Sequence, residues 1–454
     1  MLRKLFYPAF CLALLPAGLT AQSNLIFPDG AKVCFVGNSI TQAGEYLHYI
    51  RGFYATRFPD QKVEFINCGI SGDVTGGILA RMQPDIMVHK PDYAVIMIGM
   101  NDVNRPLYAA RFNGIDSIRE KKEMALATYK ENLSQIVKYL VDNKVKVVLQ
   151  KPSIYDQTAK IPKENLNGVN DALKTCAGYM QELADSYRLR TVDYWSIMTN
   201  INKKMQARDS SFTIVGKDRV HPASPGHFTM AYQFLHSTIG ATPSNIISLS
   251  YGSRKVVNTI GNKLTDLSFS KNGIQFTIQP GSLPYSMFPA AVPALDLVPF
   301  TKEFNTELLR VAGLPNGKYR LILNDSVAGE FSAIQFSEGI NLSLLNTPQS
   351  RQAKEVLDYC LKMKALESDL RQLRHMEYRT LFKLPYGKIK DSGIAILQRK
   401  LADTATKKNE RPPAERYLKN KPKEEELYEE WGKMQERLYE LNKPAAVRVK
   451  IEKI

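Results

Sequence analysis

Val33-Cys34-Phe35-Val36 runs straight into Gly37-Asn38-Ser39-Ile40-Thr41-Gln42. The first four residues are apolar without alternation and rich in β-branched and aromatic side chains, which predicts a short strand buried on both faces. A helix-like segment, Glu45 to Phe58, follows. Ser39 is therefore expected at the tip of a strand-to-helix turn. In an open α/β sheet that place borders the crevice at the carboxyl ends of the strands, where the following helix aims backbone N–H groups. Taken alone, the hexapeptide is also ordinary turn and N-cap chemistry.

Outward from this turn, strands and helices alternate from Ala31 to about Gly240. Val63 to Asn67 predicts a second strand, running into Cys68-Gly69-Ile70-Ser71-Gly72-Asp73-Val74-Thr75. Tyr93 to Ile98 predicts a third, ending in Gly99-Met100-Asn101-Asp102, and Val145 to Leu149 a fourth. Apolar residues from Leu133 to Val141 and from Val169 to Ala184 recur at helical spacing, and Thr191-Val192-Asp193 suits a fifth strand. The segment Lys217-Asp218-Arg219-Val220-His221-Pro222 leads into a closing helix from about Ser224 to Thr238. This alternation predicts an α/β domain over 25–240, with a parallel sheet between helical layers.

After Gly240 the pattern changes. Alternation around Lys271-Asn272-Gly273 predicts a hairpin, and Lys318–Leu323 with Gly329–Phe336 a second β pair about Asn324-Asp325. The proline-rich stretch from Pro280 to Pro299 reads as irregular. A helical pattern follows from Pro348 to about Leu381, and the chain ends on the alternating Val447 to Ile451. The expected organisation is 1–21 as a signal peptide, 25–240 as the α/β domain, 241–345 as a β-rich accessory region and 346–454 as a helical C-terminal region.

A chain of 454 residues with 44% hydrophobic side chains can bury two or three cores. Met1-Leu2-Arg3-Lys4, an apolar run to Leu19 and the small-residue exit Thr20-Ala21-Gln22 are read as an export signal, which predicts a secreted or periplasmic protein. No later stretch has the roughly 20 apolar residues of a membrane span. The net charge of +16 is concentrated late: from Arg351 onward 25 Lys and Arg face 17 Asp and Glu. Anionic polysaccharide, a phospholipid surface or mere solubility fits this balance; nucleic acid is the poorest reading, because export and the absence of a recognisable binding module both argue against it. Cys34, Cys68, Cys176 and Cys360 form neither a disulfide framework nor a metal knuckle. Buried free thiols are expected, with a Cys34–Cys68 bridge as the alternative. No HExxH or Cys-x-x-Cys occurs, and neither metal nor cofactor is implied.

Acyl transfer by a serine needs a base, a group that orients the base, and donors for the oxyanion. His221 can be the base, and Asp218 lies three residues before it on the same loop. The backbone N–H groups of Ser39 and Gly72 and the side-chain amide of Asn101 would top three adjacent strands as donors. Glu45, Asp73, Asn104, Arg105, Tyr155 and Trp195 are candidate rim contacts to substrate. Each of these residues also has an ordinary role as turn, cap, surface or packing residue; their common order and edge give the set its meaning.

The four blocks Gly37–Thr41, Asn67–Asp73, Gly99–Asp102 and Asp218–His221 together resemble those of the SGNH (GDSL-type) hydrolase superfamily. The resemblance covers about Ala31 to Gly240. It implies a flavodoxin-like three-layer domain, Ser39 as nucleophile, His221 as base, Asp218 as its orienter, and Ser39, Gly72 and Asn101 as the oxyanion hole. Asn38 departs from the aspartate common in the family, outside the implied triad. The remaining chain resembles, more loosely, the accessory regions of secreted GDSL-type proteins linked to glycan breakdown.

An exported enzyme without an apolar lid beside Ser39 fits best a serine esterase acting on O-acetylated carbohydrate. Lipase or lysophospholipase activity is the enzymatic alternative; glycan binding with a vestigial site, or acetyl transfer onto a polysaccharide, are the others. The sequence leaves the glycan, the acylated position and the oligomeric state open.

Overall fold

The computed structural model describes residues 24–241, 245–381, 389–403, 408 and 410–454. The expected signal peptide, 1–21, lies outside them. The first half of the chain runs β1 (Lys32–Gly37), α1 (Ser39–Ala43), α2 (Glu45–Arg57), β2 (Glu64–Gly69), α3 (Thr75–Ala80), β3 (Tyr93–Met97), α4 (Asp116–Asp142), β4 (Lys146–Lys151), α5 (Val169–Tyr187), β5 (Arg190–Asp193), α6 (Tyr194–Gln206) and α7 (Ser224–Thr238). The five strands are parallel, in the order β2-β1-β3-β4-β5. This is the flavodoxin-like order, whose direction reverses between β1 and β3, and such a switch point opens a crevice at the strands' carboxyl ends.

Side chains of β1 alternate between two cores. Val33 and Phe35 join Tyr46, Phe53, Phe228 and Phe234 under α2 and α7. Cys34 and Val36 join Cys68, Ile96, Leu133 and Leu173 under α3, α4 and α5. All four strand residues are buried, as a sheet covered on both faces requires. Cys34 and Cys68 are buried free thiols, as are Cys176 and Cys360. α4 starts well before the periodic stretch that predicts it, because most of its first half is exposed and shows no apolar face.

The second half adds β6 (Asn245–Ser250), β7 (Lys255–Ile260), β8 (Asn262–Ser270), β9 (Gly273–Pro280), α8 (Phe300–Phe304), β10 (Glu307–Ala312), β11 (Lys318–Leu323), β12 (Ser326–Ser332), α9 (Ala333–Glu338), β13 (Ile340–Asn341), α10 (Pro348–Arg379), α11 (Ile389–Ala402), α12 (Arg411–Asn420), α13 (Glu424–Leu441) and β14 (Val447–Lys453). Two sheets, β13-β10-β6-β7 and β12-β11-β14-β9-β8, enclose one apolar core. Three expectations need correction. The division at 345/346 fails at its far end, since β14 lies in the middle of the second of these sheets, between β11 and β9. Gly329–Phe336 is not all strand: Ser332 and Gln335 form a capping box that starts α9. Within the proline-rich stretch, Pro289–Asp296 forms a 3-10 helix.

α10 and α13 cover the β2 edge of the first sheet and α2. Gly52 makes close approach possible, because a Cβ there would lie 2.4 Å from Leu357 Cδ2. Arg51–Glu367 at 2.7 Å and Arg57–Glu307 at 2.5 Å are ion pairs between the two halves, with both arginines buried. Asn442 donates to the Ala55 carbonyl at 2.9 Å and Tyr439 accepts from the Val63 N–H at 2.8 Å. Among the described residues, no helix is long and apolar enough to cross a membrane.

Candidate active site

β1 and β2 end in glycines that bring α1 onto the sheet. A Cβ on Gly37 would lie 2.4 Å from Thr41 Oγ1 and 2.6 Å from the Met97 carbonyl; on Gly69 it would lie 2.2 Å from the Gln42 nitrogen. Only glycine fits either contact. Asn38 is the N-cap of α1, its Oδ1 accepting the Ile40 N–H at 3.3 Å, so the asparagine does what an aspartate would do there. Ser39 is the first residue of α1, partly exposed at the mouth of the crevice.

The Ser39 hydroxyl lies 2.7 Å from His221 Nε2. On the other side of the ring, Nδ1 lies 2.5 Å from Asp218 Oδ2. A carboxylate only accepts, so Nδ1 carries the proton and Nε2 is free to accept from the serine. Asp218 Oδ1 also accepts the N–H groups of Val220 and His221, both at 3.0 Å. Partial burial would raise the Asp218 pKa, but these hydrogen bonds, led by the one from the ring, hold it below the usual carboxylate value. The His221 and Asp218 side chains are 49% and 48% exposed, so the site is open to solvent.

The neighbouring loops reach the same rim. Ile70 to Asp73 is a turn closed by the Asp73 N–H on the Ile70 carbonyl at 3.1 Å, with Gly72 at φ +78°, a conformation that favours glycine. Gln42 Oε1 accepts the Ser71 N–H. Asn101 Nδ2 donates one hydrogen to the Asp73 carbonyl at 2.9 Å, which leaves its second for another acceptor. Arg105 Nη2 donates to Asn101 Oδ1 at 3.3 Å and so orients that amide. Asp102 Oδ1 accepts both the N–H and the hydroxyl of Thr75, each at 2.7 Å, tying the third loop to the second. Burial raises the Asp102 pKa to about 6, against these two bonds.

The remaining rim candidates divide. Asn104 is exposed in the left-handed region at φ 51°, next to Arg105. Glu45 accepts the Tyr49 hydroxyl at 2.7 Å and is half-buried beside His227. Asp73 is corrected: its carboxylate is buried and taken by Arg81 at 2.8 Å, so only its backbone belongs to the rim. Tyr155 is corrected too, since it is buried and its hydroxyl accepts the Leu166 N–H at 2.9 Å. Trp195 donates to the Asn170 carbonyl at 3.3 Å and follows β5. With β5 three strands from β1, the strand spacing separates them by about 14 Å.

Three further residues shape the site without a sequence signal. Arg219 is buried with φ 69°, and its guanidinium donates to the carbonyls of Asp156, Ala159, Ile161 and Lys163, pinning the loop that carries Asp218 and His221. His375, on α10, lies with Nδ1 2.9 Å from Gln42 Oε1. Arg379 ends α10 beside Gly72, where a Cβ would meet its Nη2 at 2.9 Å. Nothing short of the folded chain connects positions 72 and 379. Among the described residues, no group of three His, Cys, Asp or Glu side chains has an arrangement that could hold a metal ion.

Residues 35–227 match the model of the GDSL-like lipase/acylhydrolase family. A curated acetylxylan esterase from Geobacillus stearothermophilus is 26% identical over 225 residues, which span 46% of this chain and 93% of that enzyme. A solved structure described as BT4096, a gut microbial diltiazem-metabolizing enzyme, is similar with a TM-score of 0.87 at 27% identity, covering 95% of this chain and 100% of its own. That likeness extends over the accessory sheets and helices as well. The family match over 35–227 and these likenesses support reading the domain built on β1–β5 as a member of the SGNH (GDSL-type) hydrolase superfamily.

Proposed function

We propose that this protein is an exported serine esterase that removes acyl groups, above all O-acetyl groups, from carbohydrates. The observation that carries the reading is the continuous chain from the Ser39 hydroxyl through His221 to Asp218, at 2.7 and 2.5 Å. In this reaction His221 Nε2 takes the Ser39 proton as Oγ attacks the ester carbonyl, and Asp218 stabilises the resulting imidazolium. The Ser39 and Gly72 N–H groups and the free N–H of Asn101 receive the oxyanion. His221 then protonates the leaving alcohol, and the same steps run with water release the acid and restore Ser39. The acetylxylan esterase relative, and His221 and Asp218 side chains that are about half exposed to solvent, support a carbohydrate substrate.

The test is acetate release from acetylated xylan, acetylated monosaccharides and diltiazem, beside 4-nitrophenyl esters of increasing acyl length. The reading expects acetyl esters to be cleaved fastest and Ser39→Ala to abolish release. A preference for long acyl chains would replace it with a lipase-type reading.

A further inference from the structure

The deep anchoring of α10 ends at the catalytic rim. Glu367, Arg371, His375 and Arg379 follow at four-residue spacing, one inclined ridge of the helix. Glu367 and Arg371 are buried, on Arg51 at 2.7 Å and on Asp85 at 2.8 Å; His375 is half-buried on Gln42; Arg379 is exposed. The buried members fix the helix, and the last one delivers a permanent positive charge to Gly72.

Asp73 feels the Arg379 charge, but its carboxylate and the acids further along the ridge are each hydrogen-bonded to other arginines. Asp73 pairs with Arg81, Asp85 with both Arg81 and Arg371, and Glu367 with Arg51. A second guanidinium, that of half-buried Arg105, donates to Asn101 Oδ1 at 3.3 Å. Of the three proposed donors, Gly72 therefore has one guanidinium beside it and Asn101 another.

We propose that Arg379 is a specificity-determining residue that selects esters carrying an anionic group, so that the C-terminal helix forms part of the substrate site. This rests on the esterase reading above. A carboxylate on either side of the ester bond, on the acyl group or on the alcohol, matches the fork of donors that arginine presents.

The experiment compares kcat/KM for three monoacylated methyl glycosides: an acetyl glucoside, an acetyl glucuronide and a glucoside hemisuccinate. Wild type, Arg379→Ala, Arg379→Lys and Ser39→Ala are assayed at low and high salt. Arg379→Ala is expected to lose about 10-fold or more on one or both anionic esters and under 3-fold on the neutral one. Which ester suffers tells which side of the bond carries the anion. Arg379→Lys is expected to recover part of the loss, and high salt to narrow the difference. An equal loss on all three, as a fourth oxyanion donor would give, overturns the inference, as does no loss on either anionic ester. Cleavage that persists in Ser39→Ala, or is absent from wild type, instead defeats the esterase reading on which it rests.

Discussion

Arg371 and Asp85, 286 residues apart in the chain, form a bidentate ion pair with both contacts at 2.8 Å. Their side chains are 5% and 1% exposed. The same arginine donates to the Gly69 carbonyl at 3.0 Å, and Asp85 also accepts from Arg81, which holds Asp73. A buried line of charge thus runs from α10 to the residue whose carbonyl holds Asn101.

Removing Arg371 would leave two buried carboxylates, Asp85 and Asp73, to share the single charge of Arg81. Arg371→Ala is expected to destabilise the protein by about 3–5 kcal/mol, read from the urea midpoint. If α10 were merely appended, the α/β domain would unfold at the wild-type midpoint.

Arg219 is the corresponding pin on the other side of the site. Arg219→Ala leaves carbonyls of the 156–163 loop without their donor and frees the segment bearing Asp218 and His221. A drop in kcat of about 100-fold is expected, since roughly 1 Å of misplacement carries that cost. Unchanged turnover would show that the segment holds its position without it.

Asn101→Ala removes a proposed oxyanion donor. It is expected to lower kcat by about 100- to 1,000-fold with little change in KM, because the interaction forms fully only in the transition state. A rise in KM at constant kcat would assign Asn101 to ground-state binding.

Asp102 links stability to pH. Its folded pKa of about 6 lies above the ordinary aspartate value of 3.8, so the folded state holds its proton more tightly than the unfolded state. Stability from this group falls as pH rises from about 4 through 6 and stays lower above, by roughly 2–3 kcal/mol in all. Asp102→Asn is expected to flatten the unfolding profile across that window. An identical slope in both proteins would place the titration elsewhere.

Much of the fold was legible because β1 and its neighbours are short, apolar and followed by glycine loops, so buried strands and their exits were both marked. His221 and Asp218 were legible because they share one loop, and the structure brings His221 to Ser39 across 182 residues. Asp73 and Tyr155 misled because polarity in a loop does not tell a rim residue from a buried one; Arg81 and the Leu166 N–H hold them inside. β14 was legible as a strand but not as the middle of a sheet, since pairing partners leave no mark on its alternation. Arg371 and Arg379 were illegible among the many basic residues of the C-terminal quarter, where only packing separates an anchor from a solvated charge.

The most direct test of the central claim is covalent trapping with a serine-reactive fluorophosphonate, followed by intact-mass measurement and peptide mapping. The account predicts a single adduct on Ser39, absent in Ser39→Ala and strongly slowed in His221→Ala. An adduct on a different serine, with ester turnover surviving in Ser39→Ala, would contradict it.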